Sequence, residues 1–454
     1  MRWFYMFMLF SLMITCSICA WCQGEAPQAA DDWTGTDEQK IAGLATIWAE
    51  AKYAFPSFEQ LPDLDWGQSF QDFIPRVVAA KDKDEYYWTL MEFAGLLQDG
   101  HTSVLPPWMY LRPGYDNPPL EVQIVEGAFM IARAGETPEL TAEGIHVGLE
   151  ILEIDGVEAR TYFEDSVNRY YPRGSAHAND AVNIVYLLRG PRDSKVTLKL
   201  VDSAGVEREV TLTRNSMLPT GGPFLPRVLL WMLADSSIEI ENLSEDVQYI
   251  RIANFEDPAM ADEFLGMVDG MDKDGTTGLL IDMRFCLGGR GDISETMIGA
   301  LIDSSVSSPH WKYPHYVAAH RNWGREPEWS TAKHIIPPRD GARFMGPIVI
   351  LTAGTASSTA EDFAISLREA GRAVLVGERT AGSAGNPISR PLPGGGQFRM
   401  ATFRAYLPDG GEYVGIGVKP DIEIAPSKQD IRSDADIVMD KGLEVLADWE
   451  TYGR

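Results

Sequence analysis

The chain has 454 residues, enough for two or three domains and a large buried core. Hydrophobic residues make up 45% and charged residues 23%, an ordinary globular balance. The net charge of −27 would repel nucleic acid and anionic membrane surfaces, which argues against both as partners.

Arg2 is the only charge before Glu25. One basic residue followed by an apolar run reads as a secretory signal over residues 1–24. The uncharged run 3–24 is also long enough to span a bilayer, so an uncleaved anchor, and a membrane tether through the N-terminus, stays open. Either way the body of the protein is expected outside the cytoplasm: periplasmic, secreted or membrane-tethered. Cys16, Cys19 and Cys22 lie in this segment, which leaves Cys286 alone in the mature body. That argues against an internal disulfide and a cysteine-based zinc site. The seven histidines show no metal-ligand spacing, so no metal and no cofactor are expected.

Residues 31–109 carry helical periodicity, with Ile41, Leu44, Ile47, Trp48 and Ala51 on one face and Tyr87, Leu90, Met91, Ala94 and Leu97 on another. The region closes on Asp99-Gly-His-Thr102, with His101 just past a glycine stop. Residues 116–215 read as a compact β-rich module of short strands, with a hairpin turn at Asp155-Gly156 and a helical stretch over 180–188. A proline-containing linker follows over 217–235. Residues 236–445 alternate strands and helices, the pattern of an α/β core. Within them, 304–343 has little periodicity and is expected to be a lid or surface loop. Residues 398–407 and 412–418 flank Pro408-Asp-Gly-Gly411 and predict a β-hairpin.

The centre of this core is residues 348–376. An apolar run at 348–351 predicts a buried strand, and small residues follow. A helix is predicted over 360–370, closed by Gly371, and a second strand over 373–376. A hydroxyl in the turn before the helix sits at the carboxyl edge of a parallel sheet, beside the unpaired N–H groups of a helix N-terminus. Ser357, Ser358 and Thr359 also suit simple helix capping, which is the plainer reading of this turn alone.

Four motifs in order change that balance. Gly278-Leu-Leu-Ile-Asp-Met-Arg-Phe-Cys-Leu-Gly-Gly289 resembles the strand and glycine turn of the S41 family of serine peptidases, with Cys286 where the family has asparagine. Thr352-Ala-Gly-Thr-Ala-Ser-Ser-Thr-Ala-Glu361 resembles the family's nucleophile turn, and 371–382 the strand after it. Gly415-Ile-Gly-Val-Lys-Pro-Asp421 resembles a late element. Gly148-Leu-Glu-Ile-Leu-Glu-Ile-Asp-Gly156 is similar to the PDZ domain inserted in C-terminal processing peptidases. The resemblance implies a ClpP/crotonase-like α/β catalytic core with an N-terminal helical region and an inserted PDZ-like module.

Counted from Glu361, the family's nucleophile falls on Ser358. Its lysine base falls on Ser383, so the serine–lysine design is absent. Asp99-Gly-His-Thr102 resembles the histidine element of the tricorn-core design, which uses serine, histidine and glutamate. His101 is therefore the expected general base. Glu412 is the candidate carboxylate. Some relatives place the glutamate where this chain has Val414, and a strand's period of two keeps position 412 on the same face. Backbone amides of Gly288, Gly289 and Thr359 are the expected oxyanion donors. Gly148 and Leu149 would seat a substrate C-terminus. The implied activity is peptide cleavage through an acyl-enzyme, with a peptide or protein substrate. Oligomeric state is not legible. Interphotoreceptor retinoid-binding protein carries this fold as a ligand carrier. Ser358 and His101 argue against that class here, while nothing in the sequence separates peptide from ester substrates.

Overall fold

The computed structural model describes residues 33–453 apart from 109–113, 219–221, 233, 235, 245, 326 and 327. Residues 1–24, read as signal or anchor, lie outside the described residues, as do 31, 32 and 109 at the ends of the N-terminal region. No described helix is long and apolar enough to cross a membrane.

Three helices open the fold: α1 (Asp37–Ala54), α2 (Trp66–Ala79) and α3 (Lys83–Gly95). Each begins on a side-chain cap. Thr36, Asp65 and Asp82 accept from the amides of Gln39, Gln68 and Glu85 at 3.3, 2.8 and 2.8 Å. Leu44, Ile47, Tyr86, Tyr87, Leu90 and Phe93 are fully buried between them. Past α3, strand Ser103–Leu105 pairs antiparallel with Gln397–Met400, in the register Ser103↔Arg399. This pairing fastens the helical region to the far end of the chain.

The β-rich module is an antiparallel sheet in the order β1 (Leu120–Val125), β2 (Ala128–Ala134), β3 (Glu150–Ile154), β4 (Lys195–Val201) and β5 (Glu207–Thr213). Its helix α4 (Ala176–Asn183) leans on the catalytic side of the molecule, where His177 Nε2 lies 2.6 Å from Thr380 O and Ser175 Oγ donates to Ala381 O at 3.1 Å.

The core is a six-stranded sheet in the order β6 (Ile238–Asn242), β7 (Val247–Ile252), β8 (Gly278–Asp282), β9 (Ile348–Thr352), β10 (Val374–Gly377) and β11 (Ile422–Glu423). Only β6 runs antiparallel to its neighbour. The central strands β8, β9 and β10 are almost wholly apolar because helices cover both faces. Leu279, Ile281, Ile348, Ile350 and Leu375 pack with α5 (Ala259–Asp274), α6 (Gly291–Gly299) and α7 (Thr359–Glu369). Leu280, Val349, Leu351, Val374 and Val376 pack with α8 (Ile437–Ala447). Arg284, just past β8, binds Asp282 at 2.7 Å and Asp436 at 2.7 Å, which ties the strand end to the start of α8.

Two expectations fail. The 398–418 hairpin does not form. Gln397–Met400 and Arg404–Tyr406 pair elsewhere, and the second arm makes one bridge, Tyr406↔Glu412. Gly415 and Gly417 take φ of 78° and 88°, which coils that arm into turns. The 304–343 stretch is not merely loop: His310–His315 pairs antiparallel with Glu328–Ala332 and with Arg404–Tyr406, forming a ribbon beside the core.

Cys286 is fully buried in the turn after β8, and burial pushes its thiol up to about 12. Iodoacetamide is expected to leave it unmodified in the native protein and to alkylate it in urea. Mass spectrometry of the Cys286 peptide reads the difference; alkylation without urea would show that this turn opens.

Candidate active site

After β9 the chain turns through small residues, and α7 starts at Thr359. Ser358 is its N-cap, at φ 59° and ψ −128°, where side chains are rarely found. Two bonds hold it there. Its amide donates to Ser383 O at 2.7 Å and reaches Glu361 Oε2 at 3.1 Å. Its hydroxyl lies 3.2 Å from His101 Nε2. The capping and chemical readings of this serine are thus both satisfied, by different atoms. The neighbouring Ser357 amide is tied to Cys286 O at 3.0 Å.

His101 arrives from the other end of the sequence. The Asp99 carboxylate accepts from its amide at 2.9 Å and from the Thr102 hydroxyl at 2.8 Å. Thr102 Oγ1 in turn accepts from Ala401 N at 3.1 Å. Residue 100 must be glycine, since a Cβ there would lie 2.3 Å from Ser383 Oγ. The imidazole is buried, and its Nδ1 lies 2.7 Å from Ser383 Oγ. Burial, and then the charges of Arg399 and Arg173, push His101 down to about 3. The ring is neutral at ordinary pH. A proton on Nδ1 donated to Ser383 leaves the Nε2 lone pair facing Ser358, the tautomer a general base needs.

Glu412 is not part of this array. Its carboxylate is about half exposed and lies 3.3 Å from Arg404, while Ser383 fills the place beside His101 Nδ1. The period-two argument fails because residues 412–418 are turns rather than a strand. The carboxylate that matters is one the sequence reading uses only as a landmark. Glu361, at the third position of α7, is fully buried and accepts four donors. Thr380 Oγ1 and Gly382 N bond Oε1. Ser358 N and Ser383 N bond Oε2, at 3.1 and 2.9 Å. One oxygen therefore spans the amides of the nucleophile candidate and of the serine that holds His101. Burial pushes this carboxyl up to about 7 against the pull of its four donors. The capping spacing Ser358-x-x-Glu361 and the serine at the lysine position were the available signals for this pair.

The glycine turn closes on the same spot. Phe255 N donates to Gly288 O at 2.9 Å, and Thr359 Oγ1 donates to Gly289 O at 2.6 Å. In a trans peptide the N–H points opposite to the preceding C=O, so the Gly289 amide faces away from Phe255. Thr359, first in α7, has an amide without an intrahelical partner. Gly288 packs so closely that a Cβ would lie 2.6 Å from Ser358 Cβ and 2.8 Å from Thr359 N. These residues line a cleft of about 950 Å³ with His101, Ser358 and Ser383 on its wall.

Gly148 and Leu149 do not meet it. The Gly148 amide donates to Ile131 O at 2.9 Å, Leu149 O accepts from Ile131 N at 2.8 Å, and Leu149 is buried. Arg432 Cγ sits 2.5 Å from where a Gly148 Cβ would be. Pairing with β2 occupies the Gly148 amide that a terminal carboxylate would need.

Glu361→Gln turns an acceptor into a donor facing donors. It is expected to cost about 1–3 kcal/mol in urea denaturation and to slow labelling of Ser358 by a fluorophosphonate. Wild-type values in both would remove Glu361 from the array. Gly288→Ala is expected to slow the same labelling about 100-fold, through displacement of the Ser358 turn.

Residues 246–424 match the model of peptidase family S41. A carboxyl-terminal-processing protease of a Picosynechococcus species is 24% identical over 410 residues, 87% of this chain and 84% of the relative. Another, from a Synechocystis species, is 22% identical over 428 residues, 90% of this chain and 87% of the relative. Among solved structures, mature CPAF shares the fold with a TM-score of 0.71 at 18% identity, over 90% of this chain and 96% of that one. The matched stretch holds Ser358, Glu361 and Ser383, and His101 enters from outside it. The α/β core carries the peptidase family S41 match, and the similarity of the chain to S41 peptidases indicates a serine-type peptidase.

Proposed function

We propose that Ser358 is the nucleophile and His101 the general base. Ser358 Oγ attacks the scissile carbonyl while His101 Nε2 takes its proton. The tetrahedral oxyanion is held by the amides of Gly289 and Thr359, with Gly288 keeping the turn close. His101 returns the proton to the leaving amine, and the acyl-enzyme is hydrolysed by a water that His101 deprotonates in the same way. The observation that carries this reading is the 3.2 Å approach of His101 Nε2 to Ser358 Oγ at a helix N-terminus. Ser383 and Glu361 are positioning residues. Ser383 accepts the Nδ1 proton, and Glu361 fixes the backbone of both serines.

The relatives named carboxyl-terminal-processing proteases support a protein or peptide substrate trimmed near its end. We infer that the β-rich module is PDZ-like and acts by shaping the cleft, since α4 touches the Thr380–Ala381 segment next to Ser383. An extracytoplasmic site of action is supported by the composition of residues 1–24.

A fluorophosphonate is expected to label the wild type and to fail on Ser358→Ala and His101→Ala, with Ser357→Ala still labelled. Loss in Ser357→Ala alone would move the nucleophile by one residue. A neutral base is active above its pKa, so a depressed His101 places its acid limb below pH 6.5. Arg399→Gln removes a nearby positive charge and is expected to move that limb of the labelling rate to higher pH. An unmoved limb would belong to another group, Glu361 first.

A further inference from the structure

The cleft continues past Ser358. Ser358, Asp362 and Ser366 are spaced four residues apart, so they share a face of α7 and step away from the nucleophile by about 6 Å each. All three line the cleft. Across from them, α6 contributes Glu295 and Ile298, and Trp311, Ile336 and Phe403 add apolar wall. The outcome is a side pocket with apolar sides and a polar far end.

Groups at that far end lack a match. Ser366 is 1% exposed, lines the pocket, and its hydroxyl has no hydrogen-bond partner. Asp362 Oδ1 accepts from the Tyr413 hydroxyl at 3.1 Å, and Oδ2 is the remaining acceptor. Burial, and then the charge of Glu295, push the Asp362 carboxyl up to about 7. Glu295 lies 2.8 Å from His334 Nδ1, so its own charge is partly engaged. A carboxyl set among apolar walls, with a second carboxylate near and a polar group waiting beyond it, is relieved by a cation.

We propose that this pocket receives the side chain on the acyl side of the scissile bond (P1) and selects lysine or arginine, with Asp362 as the specificity-determining residue. The inference rests on Ser358 being the nucleophile. The methylene stem of either residue covers the apolar walls while the charged head reaches Asp362, one helical step from Ser358. The head's further N–H groups meet Ser366 Oγ. An apolar P1 residue fills the walls and leaves Asp362 and Ser366 unmatched. The net charge of −27 draws basic peptides toward the cleft.

The test digests a proteome-derived peptide library with the purified chain and reads cleavage sites by mass spectrometry. Matched peptides differing only in P1, lysine against norleucine, follow. Lysine and arginine are expected to dominate P1, with kcat/KM favouring lysine about 100-fold. Asp362→Asn is expected to lower the lysine-to-norleucine ratio about tenfold or more. Fluorophosphonate labelling of that variant checks that Ser358 is still assembled. If it is not, Glu295→Gln and the wild-type P1 distribution decide. Apolar or small residues dominating P1 would overturn this inference and leave the serine mechanism standing. So would an Asp362→Asn variant that slows both peptides equally. Absence of both cleavage and labelling would remove the nucleophile, and the pocket's role with it.

Discussion

A carboxylate with no water around it must find its hydrogen bonds in the protein, and Glu361 finds four. Those four donors belong to three separate pieces of backbone or side chain: the N-cap of α7, the Thr380 hydroxyl, and the Gly382–Ser383 turn. The carboxylate gathers them because the Thr380 hydroxyl and the Gly382 and Ser383 amides are buried donors in need of an acceptor, and it shares the Ser358 amide with Ser383 O. The strained backbone of Ser358 and the placement of Ser383 beside His101 both follow. The glycine at position 100 fits this logic too, because it lets the histidine turn lie against the serine that Glu361 has fixed.

The arrangement differs in kind from a carboxylate resting directly on an imidazole. Ser383 offers His101 a neutral oxygen, so nothing next to the ring favours its protonated form. Two arginines and full burial oppose that form further. The imidazole therefore stays neutral over a wide range of pH. The negative charge of Glu361 is spent on geometry.

Much of the core was legible because its signals are local. The runs at 279–281 and 348–351 are apolar at every position, which marks strands covered on both faces, and α7 is announced by its cap and its glycine stop. Ser358 and His101 were reached through motif spacing, because pairing residues 257 apart in sequence has no local signature. Glu412 misled for a physical reason. Strand alternation says nothing once Gly415 and Gly417 turn the backbone left-handed. Glu361 and Ser383 were both visible, yet their joint role depends on a turn returning to a helix start, which only tertiary packing supplies. The ribbon of His310–His315 and Glu328–Ala332 was hidden likewise, since its pairing partner Arg404–Tyr406 lies far downstream.

The pairing of Ser103–Leu105 with Gln397–Met400 also sets a schedule. Helices α1 to α3 pack largely on one another, but Leu392, Phe398 and Met400 complete their core. His101, too, is anchored through Thr102 to Ala401 and through strand register to Arg399. His101 and Ser358 therefore meet only after nearly all of the 454 residues have left the ribosome. A chain that ends between residues 358 and 397 carries both side chains but lacks the strand that seats His101. The topology thus works as a safety catch, postponing this pairing until most of the chain has been made.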